Sequence, residues 1–418
     1  MRIELKNESC IFCDKPLEGN NRSKEHIIPQ CMGGKLWSID LVCKDCNSKF
    51  GSEFDESLIK RFCWIMYPLS LFNDQIKLKD WVVGHNGLKY LFTKNGIRAK
   101  DPRPIYDENG NMKGMVYPSE EAFRKHLKRL KKKDPTIDIQ KTIDCSEKKV
   151  REIQGQFKFI APPIGEIDFR CCGKICYEFL HLTNEDYVPS YNRFANFILG
   201  NAQVDSYPIC PWYADYEPFE KDVEKIYNII VVEGKSKEKM VVAYFEGYEC
   251  LKTFMIIDRE YNGESFCNGY YQDLMENISD FFTPNTSIPI NRDEAVNLIN
   301  TSDVNDFHEI IIKESLHAAN KARIYPFKIF LRELKETIRS MDDPRTIENL
   351  SHILEKFEYI FQKNGISAFV SPNLENVNEE YEDVALLEKI NIHLAYLLQY
   401  FQKAGVNFDI IGEIVQII

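Results

Sequence analysis

Along the chain the spacing of apolar positions changes several times, and each change predicts an element. Phe50, Phe54, Leu58, Ile59 and Phe62 recur at three- and four-residue steps, which predicts a helix over residues 47–62. Upstream, a short strand is expected at 24–28, stopped by Pro29, and a second at 39–42 after the break at Gly33 and Gly34. Residues 61–80, with Trp64, Met66, Leu69, Leu71 and Phe72, read as a packed connector. Alternation through 81–92 around His85-Asn86-Gly87, and again through 103–117 around a polar tip at 107–111, predicts two hairpins. Ser119-Glu120-Glu121 opens a helix that ends before Asp134-Pro135.

The middle of the chain mixes both periods. A strand is expected at 157–161, ending at Pro162-Pro163, with helices at 173–182 and 193–199. Residues 226–232, 240–244 and 253–257 read as a β-meander. The turn between its first two strands contains Glu233-Gly234-Lys235-Ser236, which lacks the upstream glycine of a phosphate-binding loop and is read as a turn. From about residue 303 the spacing is helical over 307–322, 326–341, 346–364 and 383–401, with separators at 342–344 and 371–373. These amphipathic segments predict an antiparallel bundle, with a homo-oligomer interface as a candidate role. The apolar end, 408–418, reads as a short interfacial element. The expected fold class is α+β multidomain: a small N-terminal module (1–62), a basic connector (63–135), a mixed recognition or sensor region (136–300) and a helical region (301–418).

Composition adds limits. The chain has 418 residues, 44% hydrophobic and 28% charged, as in ordinary globular proteins. It carries no apolar run long enough for a membrane span and no apolar leader after Met1, so cytoplasmic residence is expected. Dinucleotide-binding and hydrolase-elbow motifs are also missing, which argues against those chemistries. The net charge of −11 is unevenly distributed. Residues 1–60 hold 9 basic and 10 acidic side chains, residues 61–135 hold 16 and 8, and the remainder nets −18. The expected place for a polyanion is therefore the basic block. Within it, the helix after Ser119 presents Arg124, Lys125, Lys128, Arg129 and Lys132 as candidate phosphate contacts.

The strongest chemical signal lies at the start of the chain. Cys10 and Cys13 form one C-x2-C pair and Cys43 and Cys46 a second, the spacing of a structural zinc site. About 60 residues with few large apolar groups need such a brace to fold. Most of the other nine of the 13 cysteines, with the Cys171, Cys172 and Cys176 cluster among them, are read as small buried hydrophobes. Between the pairs stands Glu25-His26-Ile27-Ile28-Pro29, and Asn47 follows Cys46 directly. Glu25 and Asn47 are oxygen donors suited to magnesium or manganese, and His26 suits a general base. Neighbours on a strand face opposite ways, so the two can serve metal and water separately only where the strand is distorted or ends.

Residues 10–60 resemble the HNH, or ββα-metal, nuclease superfamily. The likeness is to its zinc-braced, treble-clef-like members, such as phage Holliday-junction resolvases of the endonuclease VII type and bacterial proteins with an EHIIP…GG…C..CN pattern. The resemblance implies structural zinc on Cys10, Cys13, Cys43 and Cys46. It further implies a catalytic Mg2+ or Mn2+ on Glu25 and Asn47, His26 as base, and DNA hydrolysis leaving a 5′ phosphate. No histidine stands at the last position of the motif; Asp55, ahead of its neighbour Glu56, is expected to replace it as a ligand. By analogy such modules serve restriction or anti-phage defence. Two other readings stand beside this one: a non-catalytic zinc-dependent nucleic-acid-binding protein, and a nuclease effector gated by a ligand or partner protein on the C-terminal region.

Overall fold

The computed structural model describes residues 1–5, 7–70, 73, 76, 81–85, 88–93, 96–99, 101–117, 119–146, 164–189, 193–201, 208–303, 307–363, 382–403, 411 and 414. The strand expected at 157–161, the tip at 86–87, Leu71 and Phe72, the separator at 371–373 and most of 408–418 lie outside the described residues.

The N-terminal elements are β1 (Glu25–His26), β2 (Trp37–Ser38) and α1 (Lys44–Ser70). The two strands pair antiparallel, Glu25 opposite Ser38 and His26 opposite Trp37. Three expectations change here. The first strand is two residues long rather than five. The second lies at 37–38 rather than 39–42, because the 40–41 stretch serves other partners: Leu5 N–H donates to Asp40 Oδ2 and Ile11 N–H to the Leu41 carbonyl. The helix begins at the second cysteine pair instead of Asn47 and continues through Pro68 to Ser70. Its buried apolar face extends on through Ile65, Met66 and Leu69, and this burial offsets the hydrogen bond that proline removes.

Next come β3 (Trp81–His85), β4 (Leu88–Thr93), β5 (Gly96–Ala99), β6 (Arg103–Tyr106), β7 (Met112–Val116), α2 (Glu120–Lys131) and α3 (Ile139–Asp144). They are followed by α4 (Glu166–Thr183), α5 (Arg193–Ile198), β8 (Ile209–Pro211), β9 (Tyr227–Lys235), β10 (Met240–Gly247), β11 (Leu251–Asp258), β12 (Phe266–Asp273) and β13 (Ile278–Phe282). The chain then turns helical as α6 (Arg292–Thr301), α7 (His308–Arg339), α8 (Ile347–Lys363) and α9 (Glu382–Lys403).

The chain divides into two compact units. One comprises Leu58–Cys63 and Leu78–Pro163. In it β3, β4 and β5 form an antiparallel meander, and β6 and β7 a hairpin with an irregular register at Ile105 and Tyr106. The Asp107 carboxylate accepts from the backbone of Asn109 and Asn111 and so ties the polar tip. Ser119 caps α2 by accepting from Ala122 N–H.

The other unit comprises Met1–Ser57, Trp64–Lys77 and Ile164–Ile418. Its centre is an antiparallel sheet in the order β13-β12-β9-β10-β11-β8. The helix α4 packs across β8, β9, β10 and β11. Tyr227, Ile229, Val231, Met240, Val242, Tyr244 and Phe254 join a second core with Trp212, Ala295 and Ile299 of the α6 side. Both faces of the central strands are thus covered, and β9 and β10 are buried almost residue by residue. From Asp168 to Leu182 every residue of α4 is buried, the charged Asp168, Arg170, Lys174 and Glu178 included.

The C-terminal helices form their own apolar core, including Phe327, Leu331, Leu334, Ile353, Phe357, Ile390, Leu394 and Leu397. The two helices expected at 307–322 and 326–341 are one continuous α7 with Pro326 inside. An interior proline costs about 3 kcal/mol. Ala318, Ala319 and Ala322 before it, and Phe327, Phe330 and Leu331 after it, are buried and hold both halves in line. No helix among the described residues is long and apolar enough to cross a membrane.

Candidate active site

The four sulfur atoms of Cys10, Cys13, Cys43 and Cys46 lie within 4.8 Å of one another, and the Cys13 and Cys43 sulfurs are 3.6 Å apart. A tetrahedron of thiolates around zinc, at Zn–S of about 2.3 Å, has edges of about 3.8 Å, so the donor set fits that ion. The thiols also respond to one another as a set. Cys10 is pulled down to about 5, chiefly by the hydrogen bond from Cys46, while burial pushes Cys13 up to about 11 and the bond to Cys10 pushes Cys46 up. Four like charges in this space need a divalent ion among them.

The knuckle positions the rest. Cys43 to Cys46 form the boundary and first turn of α1, so Asn47 projects from that turn. Its amide nitrogen donates to Ser23 Oγ at 2.8 Å and to the Lys24 carbonyl at 2.9 Å, which fastens α1 to the residues just before β1. The amide oxygen is left for another partner, since both bonds use the nitrogen. On β1, Glu25 is buried and His26 half-buried, facing opposite ways. The strand ends there, which meets the condition set by the sequence for separate roles. Gln30 Nε2 lies 3.1 Å from His26 Nε2, so the amide donates and marks Nε2 as the basic nitrogen. Burial first, then the Lys24 and Lys174 charges, lowers the imidazole to about 4, so the ring is neutral near pH 7.

Glu25 is the most enclosed of the group. Burial raises its carboxyl, the Lys174 ammonium opposes that, and the Asp55 charge raises it further. The structure therefore brings Glu25 and half-buried Asp55 into electrostatic reach, whereas Glu56 is exposed one position along α1. The glycine pair that follows is sterically required. Gly33 has φ of +84°, and a Cβ on Gly34 would stand 1.7 Å from the Ile28 carbonyl oxygen.

Residues 10–63 match the family model of the HNH endonucleases. The N-terminal module is an HNH endonuclease module. No curated protein and no solved structure matches the chain.

Up to Ser57 the HNH module is packed into the larger unit, and several of its supports come from far along the chain. Phe12 meets Tyr177 at 5.5 Å between ring centres, Arg170 bridges to Glu53 at 3.0 Å, and Ser57 donates to Asp168. The loop after Pro29 is held by the sheet: Asn228 donates to the Met32 carbonyl, Tyr248 to that of Cys31, Gln272 to that of Gly33. Lys35 and Lys49 donate to the carbonyls of Asn277 and Leu199.

One site residue escaped the sequence reading. Lys174, from the middle of α4, extends its buried ammonium to the Glu25 carboxylate, to Glu178 Oε2 at 2.9 Å and to the His26 carbonyl at 2.7 Å. The signal that could have drawn attention to it is the Lys174–Glu178 pair at i,i+4 spacing, set among the apolar residues of α4.

In the other unit, α2 presents its cations as expected of a solvated helix. Lys125, Lys128, Arg129 and Lys132 are exposed, Leu127 is buried on the opposite side, and half-exposed Arg124 is engaged by Glu120 at 2.8 Å and by Gln140. The cysteines Cys171, Cys172 and Cys176 are buried in α4.

Proposed function

We propose that the protein is a metal-dependent endonuclease that hydrolyses DNA phosphodiester bonds. The observation that carries this reading is the placement, inside the span matched to HNH endonucleases, of Glu25, His26 and Asn47 around the end of one two-residue strand. Glu25, the Asn47 amide oxygen and Asp55 are oxygen donors of the kind magnesium and manganese take, and they would hold the ion. Such an ion, when bound, neutralises charge on the scissile phosphate and on the leaving 3′ oxygen. His26, neutral at pH 7, would receive the proton of the attacking water at Nε2 once the Gln30 amide gives way there. Lys24, stacked 4.2 Å from the Trp37 ring centre, adds positive charge beside the histidine and favours an approaching phosphate. The exposed cations of α2 are assigned to contacts with the DNA backbone. The products carry a 5′ phosphate, and the biological setting is restriction or anti-phage defence.

The test is nicking or linearisation of plasmid DNA by the full chain with Mg2+ or Mn2+, beside His26→Ala. Metal-dependent cleavage by the wild type alone supports the proposal. DNA left intact by both proteins with both metals refutes it, and strong binding without cleavage selects the non-catalytic reading instead.

A gated version is favoured by one observation: the loop at 30–35 is held by residues of β9, β12 and the β10–β11 turn. A ligand that shifts these strands would shift the loop next to His26. Cleavage that appears only on adding a phage-infected extract or a small molecule would select that version.

A further inference from the structure

We infer that Lys174 is a positioning residue of the nuclease site, supplied by α4 from outside the span matched to HNH endonucleases. The inference rests on the nuclease reading above and names a part of that site which the local motif lacks.

Four contacts converge on one ammonium. Lys174 Nζ meets Glu25 Oε1, stands 2.9 Å from Glu178 Oε2, and lies 2.7 Å and 3.3 Å from the carbonyls of His26 and Ile27. An ammonium has three N–H donors, so the group is saturated by these partners. Its side chain is 2% exposed and that of Glu178 is fully buried, so solvent does not loosen the cluster. Burying a charge in this way is costly, and an apolar residue would serve packing alone at least as well. Here the partners include Glu25 and His26, the two residues whose orientation the proposed chemistry requires. By engaging one oxygen of Glu25, the ammonium aims the carboxylate and leaves Oε2 for a cation. By drawing in the carbonyls of His26 and Ile27, it ends β1 where the carboxylate and the imidazole must diverge. Glu178 completes the device, holding the lysine from one turn further along α4.

A lysine that only filled a core position would affect folding without changing the metal requirement. A positioning lysine would change how much metal is needed and how fast bound DNA is cut. The experiment compares full-length wild type, His26→Ala, Lys174→Met and the double variant Lys174→Met/Glu178→Leu, which leaves no orphaned carboxylate at position 178. Zinc content and cooperative melting report the fold. Plasmid cleavage across an Mn2+ titration reports half-activation, kcat and KM. Folded, zinc-loaded Lys174 variants are expected to lose about 10–100-fold in kcat or in apparent metal affinity. Their KM for DNA should stay within about twofold of wild type, the signature of a loss confined to the chemical step.

A folded Lys174 variant with wild-type kcat and metal dependence overturns the inference alone. So does loss of zinc and cooperative melting in both variants, which would make the lysine a folding residue. A wild type that cuts no DNA overturns the nuclease reading itself, and this inference with it.

Discussion

At the scale of single residues the site divides into groups that would meet the cation and groups that hold them. Asn47 belongs to both: its amide nitrogen ties α1 to residues 23 and 24, and its oxygen is the proposed ligand. Asn47→Ala should therefore lose cleavage by at least about 100-fold and also lower stability by about 1–2 kcal/mol, from two hydrogen bonds removed. Single-turnover cleavage and denaturant melts would read the two effects separately. Gly34 is a purely steric case. A methyl group there meets the Ile28 carbonyl, and the loop would have to move away from the end of β1. Gly34→Ala should cost about 3 kcal/mol or more, measured by urea unfolding, with cleavage falling alongside.

The elements show how much a helix or turn can do when its charges are exposed and how differently it behaves when they are buried. On α2, Lys125, Lys128, Arg129 and Lys132 form one exposed stripe. Replacing these four by glutamine should weaken DNA binding at every sequence and flatten its salt dependence by about 0.9 in log–log slope for each phosphate no longer neutralised. An unchanged slope in fluorescence anisotropy titrations would remove α2 from the DNA interface. The turn between β10 and β11 offers the buried case. Glu249, at φ of +62°, pairs with Lys321 at 2.6 Å, and burial outweighs that pairing to push its carboxyl up to about 7. A carboxyl whose folded value is raised binds its proton more tightly in the folded chain. Its contribution is present in full below the ordinary value of 4.5 and is lost as pH rises to about 7. Stability measured against pH should fall through that window, and Glu249→Gln should reduce the fall. A variant with the same pH profile as wild type would show that Glu249 is not the group responsible.

On the scale of the whole molecule, the HNH module up to Ser57 lies within a larger packed unit. It shares buried contacts with α4, with the sheet and with the loop after β12. A fragment of residues 1–70 should therefore fail to melt cooperatively even with one equivalent of zinc, whereas the full chain should bind zinc and melt cooperatively. Circular dichroism melts of both would decide it. A well-folded fragment would mean that zinc alone carries the module's stability, as it does in free-standing fingers.

What the sequence could determine were features set by near neighbours. The zinc set is legible because two short Cys-x2-Cys spacings place ligands from each knuckle, and a metal demands a closed donor set. The C-terminal helices are legible because their apolar period runs for many turns, and the proposed roles of Glu25, His26 and Asn47 rest on their place beside those knuckles. The central sheet was only half visible. β9, β10 and β11 are legible as apolar runs, whereas β8 is only three residues long and β12 is interrupted by polar Asn268 and Gln272. Tertiary structure alone decided that α4 runs beneath the HNH module and that Lys174 meets Glu25. A lysine's partner 149 positions away leaves no periodic trace in the chain, because such a pairing follows from how whole elements pack rather than from the geometry of neighbouring residues.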